Sequence, residues 1–164
     1  MRFAYADPPY PGKARLYPEK KEIDYPSLVD SLAGHYPDGW ALSVSSAGLR
    51  DVLAACPRNV RVCAWIRATR KVKSTRPLDS WEPLIVAGGR KFDATSVPDV
   101  FNSLIYAGRY RAFPGAMIGM KPPQFAVWMF RQLGAMEGDT LDDLFPGSGA
   151  ISVAWRRYTG EAKI

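Results

Sequence analysis

The chain has 164 residues, of which 47% are hydrophobic and 23% charged, and its 22 basic and 16 acidic residues give a net charge of +6. This composition excludes disordered, collagen-like and low-complexity chains, and the length suffices to bury a core without disulfides or a structural metal. No apolar run reaches the about 20 residues of a membrane span, and the start MRFAY lacks a signal-peptide pattern. We therefore expect one domain over residues 1–164, a cytoplasmic location and no membrane partner.

Strand-like and helix-like stretches alternate along the chain. In chain order, the residue patterns predict a strand at 2–6, a helix at 27–34, a strand at 40–45, a helix at 47–56, strands at 60–66 and 84–87, a helix at 125–133, a strand at 140–144 and a helix at 150–157. Such alternation predicts the α/β class, with helices on both faces of a sheet. Ligands of such sheets bind beyond the carboxyl ends of the strands, so we expect the functional residues just after strands.

Histidine and cysteine are scarce, since the sequence contains only His35, Cys56 and Cys63. These three residues are too few for a Cys/His zinc site, a two-histidine nuclease or a zinc deaminase, so we predict no metal site. His35 lies in a stretch typical of a helix end, and we interpret it as non-catalytic. Cys63 lies in an apolar strand, and we expect both cysteines to be buried free thiols. The chemistry of the protein is therefore expected to use neither metal nor thiol.

Two predicted strands end in unusual residues. The first runs into DPPY at residues 7–10, a tetrapeptide that average residue frequencies place by chance in about one chain of this length in a thousand. The strand at 140–144 runs into FPGSG at residues 145–149, where Gly147 and Gly149 let the backbone approach a ligand and leave helix N–H groups facing it. This turn lacks the lysine of a phosphate-binding loop and follows Asp142 and Asp143. It therefore favours a ligand with an amine or cationic end, such as the methionine part of S-adenosylmethionine.

These motifs resemble those of S-adenosylmethionine-dependent amino-methyltransferases of the N6-adenine and N4-cytosine type. In that family D-P-P-Y is the catalytic motif, and D-x-F-x-G-x-G, which matches residues 143–149 position by position, is the cofactor motif. KP at 121–122 resembles the element that precedes the cofactor motif, and WEPLIV at 81–86 resembles the strand before the variable region. The order of motifs, catalytic first and cofactor last, resembles the permuted β group. The resemblance spans nearly the whole chain and implies a minimal, circularly permuted, Rossmann-like methyltransferase sheet.

The resemblance also implies the reaction and the site residues. It implies direct in-line transfer of a methyl group to the N6 amine of adenine in DNA or RNA, with low sequence specificity. The Asp7 carboxylate and the Pro8 carbonyl would each accept one N–H of the amine, while Tyr10 stacks on the extruded base. The implied catalytic residues are Asp7, Pro8, Pro9 and Tyr10. The implied cofactor-binding residues are Lys121, Pro122, Asp143, Phe145, Pro146, Gly147, Ser148 and Gly149.

Basic residues cluster in two segments and predict contact with nucleic acid. The first segment follows the strand at 60–66 and contains no acidic residue; its members are Arg67, Arg70, Lys71, Lys73 and Arg76. In the second segment Arg109 and Arg111 alternate with Tyr106 and Tyr110, whose rings are suited to stacking on bases.

The chain departs from the family pattern in two places. About thirty residues separate Gly89 from Lys121, which is too few for a target-recognition domain, so we expect slight sequence specificity. The strand whose terminal acid normally holds the cofactor ribose is missing or only begun at 161–164, so we expect weak cofactor binding or completion by a homodimer or nucleic acid. Three alternatives remain: a non-catalytic, nucleic-acid-binding subunit of a larger methyltransferase, an N4-cytosine methyltransferase, and a protein-glutamine methyltransferase, a class whose motif is N-P-P-Y.

Overall fold

The computed structural model describes residues 1–16, 21–67, 75, 77, 79–91, 96–103 and 120–161. Within these residues six strands form one sheet: β1 (Arg2–Ala6), β2 (Gly39–Ser43), β3 (Arg61–Arg67), β4 (Trp81–Gly88), β5 (Val100–Ser103) and β6 (Thr140–Asp143). The helices of this part of the chain are α1 (Tyr25–His35), α2 (Leu49–Ala55), α3 (Pro123–Gln132), α4 (Ala150–Tyr158) and a short 3₁₀ turn at Ala14–Leu16. None of these helices is both long and apolar enough to cross a membrane.

The sheet is mixed, with the strand order β5-β3-β4-β2-β1-β6. β4 runs antiparallel to both of its neighbours, β2 and β3, whereas the other pairs are parallel. All nine predicted elements are present, with bounds that differ by at most three residues. β5 was not predicted, because it has only four residues at one edge of the sheet and lacks a continuous apolar run.

Helices cover both faces of the sheet, which confirms the predicted α/β arrangement. Successive side chains of β1 point to opposite faces, so Phe3 and Tyr5 enter one core while Ala4 and Ala6 enter the other. The Phe3 face packs against α3 and α4, and the Ala4 face packs against α1 and α2. Both cores are built from large side chains, among which Phe125, Phe130, Trp155, Leu32, Trp40 and Leu42 are buried.

His35 and the cysteines occupy structural positions. His35 lies in the last turn of α1, where its Nδ1 is 2.9 Å from the carbonyl oxygen of Ser31. This end of α1 lies at the amino edge of the sheet, away from the residues that follow the strands. Both cysteines are free thiols, and burial raises the pKa of Cys63 to about 11. The expectation of full burial is wrong for Cys56, which is half-exposed at the rim of the core.

A network around Asp139 closes the amino edge of the sheet beside β6. The Asp139 side chain is 4% exposed and accepts hydrogen bonds from the N-terminal ammonium at 2.6 Å and from Met136 N at 2.9 Å. Arg90 Nη2 donates to both of its oxygens, at 2.8 and 2.9 Å. Although burial acts in the opposite direction, these bonds lower the pKa of Asp139 below its ordinary value of 3.8. The ionised carboxylate therefore stabilises the fold.

We expect Asp139→Asn to lower the free energy of unfolding at pH 7 by about 2 kcal/mol, because the amide leaves two partly buried cations without their counter-charge. A carboxylate whose pKa is lowered by folding stabilises the protein above its ordinary pKa and loses that contribution as the pH falls. The difference between wild type and variant in urea unfolding should therefore shrink below about pH 4. Asp142→Asn is the control, since Asp142 pairs with Arg2 at the surface, where ion pairs contribute little. Equal destabilisation by the two substitutions would contradict this account.

Candidate active site

The two motif turns leave the same edge of the sheet side by side. β1 and β6 are parallel neighbours with Tyr5 opposite Asp143, and Leu144 N continues the pairing by donating to Tyr5 O at 2.9 Å. DPPY (residues 7–10) directly follows β1, and the glycine turn (residues 145–149) follows β6. From β1 the chain continues to β2 on one side, whereas β6 flanks the other side, so a topological switch point lies between them. Open α/β sheets bind ligands in the crevice at such a point.

The glycine turn leaves its backbone accessible. Gly147 and Gly149 have φ angles of +49° and +73°, in the left-handed region that side chains other than glycine rarely adopt. A Cβ atom at Gly149 would meet no heavy atom within 4 Å. At the start of α4, the N–H groups of the first turn make no hydrogen bond to a capping side chain. The turn thus combines free space with backbone donors.

The two carboxylates before the glycine turn have different surroundings. Asp142 accepts from Arg2 Nη2 at 2.6 Å and from the Tyr36 hydroxyl at 2.8 Å. Asp143 Oδ2 accepts from Ser152 Oγ at 3.3 Å, while its Oδ1 is buried and has no hydrogen-bond partner among the described residues. Burial raises the pKa of Asp143. Asp142 therefore has its partners within the fold, whereas Asp143 keeps a buried oxygen, because adjacent side chains of a strand point to opposite faces.

The DPPY turn is held in place by its neighbours. Pro8 is buried, and the carbonyl of Pro9 accepts from the Tyr25 hydroxyl at 3.3 Å. Tyr10 donates its hydroxyl to Asp7 Oδ1 at 3.3 Å, so the tetrapeptide closes on itself. With two prolines fixing φ, the carbonyl directions of this turn are restricted. Asp7 and Tyr10 therefore contact one another just beyond the carboxyl end of β1.

Behind Asp7 lies a row of four alternating charges, Asp7, Lys121, Glu82 and Arg67, which we call the buried ion chain. Lys121 Nζ lies 2.9 Å from Asp7 Oδ1 and Oδ2, 2.7 Å from Glu82 Oε1 and 3.2 Å from the Tyr10 hydroxyl. Arg67 Nη1 lies 3.6 Å from Glu82 Oε2. The side chains of Lys121 and Glu82 are only 4% and 7% exposed. A cation thus joins the DPPY turn to a carboxylate in the middle of the fold.

These contacts shift the ionisation of the chain's members. Burial raises the pKa of Asp7, and the positive charge of Lys121 offsets part of that rise. Burial alone would lower the pKa of Lys121, but the two carboxylates raise it well above its ordinary value. Burial and the nearby charge of Asp7 also raise the pKa of Tyr10, which therefore stays a neutral hydroxyl donor. The arrangement is an ammonium shared between two carboxylates.

The structure gives several of the predicted site residues partners within the protein. Lys121, implied as a cofactor residue, contacts Asp7 and Tyr10 of the catalytic motif, and Pro122 caps the start of α3. Arg67, predicted to contact nucleic acid, pairs with Glu82 and lies 5.9 Å from the Trp65 ring. The other basic residues of the prediction lie outside the described residues: Arg70, Lys71, Lys73, Arg76, Arg109 and Arg111.

Sequence reasoning missed Glu82 as a member of the site. Its signal was a lone acid within the otherwise apolar strand segment WEPLIVAG of β4, where burial demands a partner of opposite charge. The comparisons with known proteins add no name to this geometry: no family model matches the sequence, and the search of curated proteins also gave no match.

Proposed function

We propose that this protein is an S-adenosylmethionine-dependent methyltransferase that acts on the exocyclic N6 amine of adenine in DNA or RNA. The placement of the DPPY and glycine turns supports this most directly, because they follow parallel neighbours β1 and β6 and flank one crevice. The mixed sheet with helices on both faces is compatible with the permuted, Rossmann-like fold that the motif order implies. The function therefore rests on two motifs that are distant in sequence and adjacent in space.

The residues of the glycine turn fit the cofactor. Asp143 Oδ1 is a buried acceptor without a partner in the described part of the chain, and the amine or hydroxyl groups of S-adenosylmethionine are donors that suit it. Gly147 and Gly149 leave the backbone accessible, while Phe145, Pro146 and Ser148 complete the turn. When bound, the cofactor supplies an electrophilic methyl group on a positively charged sulfur.

The DPPY turn fits the second reactant. The amine of adenine is a poor nucleophile, because its lone pair is delocalised into the ring. Asp7 and the Pro8 carbonyl accept its two N–H groups, which localises the lone pair toward the methyl donor. As the new N–C bond forms, the nitrogen releases one proton, for which the ionised Asp7 is the acceptor. Tyr10 holds the base by stacking.

Transfer of labelled methyl from S-adenosylmethionine to mixed DNA and RNA, followed by digestion to nucleosides and mass analysis, tests this proposal. N6-methyladenosine, in its deoxy or ribo form, is the expected product and identifies the polymer. N4-methylcytosine would instead support the cytosine alternative, whose amine presents the same donors. An absence of product at saturating cofactor would contradict the proposed activity and favour the non-catalytic subunit. The protein has a net charge of +6, which suits either polymer.

We expect the double charge reversal Arg70→Glu with Lys71→Glu to weaken binding to a fluorescent oligonucleotide. Each lost phosphate contact should reduce the slope of log K against log salt concentration by about 1, so two contacts should reduce it by about 2. Fluorescence anisotropy over a salt series measures both quantities.

The matched control reverses two other basic residues, Arg156 and Arg157. They are exposed in the last turn of α4, away from the edge where the motif turns lie. This pair changes the net charge of the protein by the same amount, so it accounts for non-specific electrostatics. If the two double variants show the same salt slope, the basic segment after β3 is not the binding surface.

A further inference from the structure

The buried ion chain extends farther into the protein than the proposed reaction requires. Asp7 alone accepts the amine proton, yet it is backed by a buried lysine and a second buried carboxylate. Taking such charges out of water costs free energy, and apolar side chains of similar volume often give equal or greater stability. Stability therefore gives no account of why Glu82 lies in the apolar strand β4. A role in the reaction does.

We propose that Lys121 and Glu82 form a positioning pair: Lys121 holds the Asp7 carboxylate ionised and fixed in orientation beside Tyr10, and Glu82 anchors Lys121 in place. This inference rests on the proposed function, in which Asp7 accepts protons from the target amine. Lys121 and Glu82 act through Asp7, without contact with the reacting atoms.

The geometry of Lys121 carries the first part of the inference. An ammonium group has three N–H donors, and Lys121 has three acceptors around it: Asp7, Glu82 and the Tyr10 hydroxyl, at 2.9, 2.7 and 3.2 Å. Hydrogen bonds to Asp7 and Tyr10 on one side and the ion pair with Glu82 on the other fix the position of Nζ. Its neighbours Asp7 and Tyr10 are the proton acceptor and the stacking ring of the proposed reaction. One cation thus sets the relative position of both groups.

Glu82 anchors Lys121 from the side opposite Asp7. Its Oε1 lies 2.7 Å from Nζ in an ion pair, while its Oε2 faces Arg67 at 3.6 Å. The peptide chain of Lys121 is itself fixed, since the next residue, Pro122, caps α3. A lysine held at its backbone and at its ammonium has little freedom to leave Asp7.

The charges around Asp7 are the second argument for this proposal. The ionisable groups that face Asp7 are Lys121, Glu82, Tyr10 and Tyr5, with Arg67 behind Glu82. The ammonium of Lys121 favours the ionised form of Asp7, whereas the negative charge of Glu82 opposes it. Removing Lys121 should therefore raise the pKa of Asp7, and neutralising Glu82 should lower it. Opposite directions distinguish this electrostatic coupling from a general disturbance of packing.

Carboxyl-detected ¹³C NMR titration of the substrate-free protein tests the coupling without relying on methyl transfer. Asp7→Asn assigns the Asp7 signal. We expect the Asp7 titration midpoint to rise by about 1 to 3 pH units in Lys121→Met and to fall in Glu82→Gln. Unchanged midpoints, or shifts in the same direction in both variants, would overturn the proposal. If circular dichroism shows that Lys121→Met does not fold, Glu82→Gln still tests the expected fall of the Asp7 midpoint. Lys121→Arg then tests the orienting role of the lysine.

The pH profile of kcat/KM for methyl transfer supplies the second readout. Its acidic limb should move with the Asp7 midpoint, upward in Lys121→Met and downward in Glu82→Gln. Lys121→Arg keeps the charge and changes the geometry, so its limb should stay near the wild-type position while kcat falls by about 10²-fold. A wild-type kcat in Lys121→Arg would overturn the orienting role. The NMR midpoints could shift as expected while the wild-type protein transfers no methyl group. That outcome would overturn the proposed function and leave the coupling of Lys121 to Asp7 established.

Discussion

An Asp7→Ala protein is expected to transfer methyl groups about 10³- to 10⁴-fold more slowly than wild type while it binds S-adenosylmethionine with unchanged affinity. The substitution removes the proton acceptor and one of the two groups that orient the amine, each of which contributes by orders of magnitude to catalysis. The glycine turn follows the neighbouring strand β6, so cofactor binding should not depend on the Asp7 carboxylate. Single-turnover rates measure the first quantity, and isothermal titration calorimetry measures the second.

Asp38→Ala is the matched control for this experiment. The Asp38 carboxylate also accepts a hydrogen bond, from Arg2 N at 2.7 Å, but it lies at the opposite edge of the sheet. Its removal should leave the transfer rate within a factor of about two, as is usual for a substitution away from the site. A fully active Asp7→Ala protein would show that the DPPY turn does not perform the chemistry proposed for it.

Local sequence patterns predicted the elements of this fold but not their arrangement. The strand at 2–6 and the strand at 140–144 were each evident from their residues, yet periodicity contains no information about which strands pair. That pairing joins Arg2 to Thr140, at opposite ends of the chain. The motif resemblance pointed to a shared site, and the sheet order supplies the physical reason why the two turns meet.

Side-chain direction distinguishes the two carboxylates that precede the glycine turn. Asp142 and Asp143 are the same residue type, but their side chains point to opposite faces of the sheet. Asp142 binds Arg2 and Tyr36, whereas Asp143 keeps a buried oxygen that has no hydrogen-bond partner among the described residues. The partnership of Glu82 with Lys121 was likewise inaccessible, because ion pairs between distant segments have no local pattern. Both features depend on tertiary packing, which a scan along the chain does not contain.

Cofactor binding gives the second large expected effect. We expect Gly147→Val to weaken binding of S-adenosylmethionine at least about 10²-fold, equivalent to ~2.7 kcal/mol. Gly147 has a φ angle of +49°, which a β-branched residue rarely adopts, so the turn must change shape to accept valine. A Cβ atom at residue 147 would have the Phe145 carbonyl oxygen, at 3.9 Å, as its nearest neighbour in the described part of the chain, so the expected loss comes from the changed turn and not from a clash. Calorimetric titration of the folded variant with the cofactor measures the loss.

Gly160→Val controls for the strain of placing valine at a positive φ. Gly160 has a φ angle of +77° and open space around its Cα, but it lies after the end of α4, away from the glycine turn. Both variants should lose stability to a similar extent, because each forces valine into the left-handed region. Only Gly147→Val should lose the cofactor, since only residue 147 lies between Asp143 and the start of α4. If both proteins bind S-adenosylmethionine with the wild-type affinity, the glycine turn is not the binding site of the cofactor.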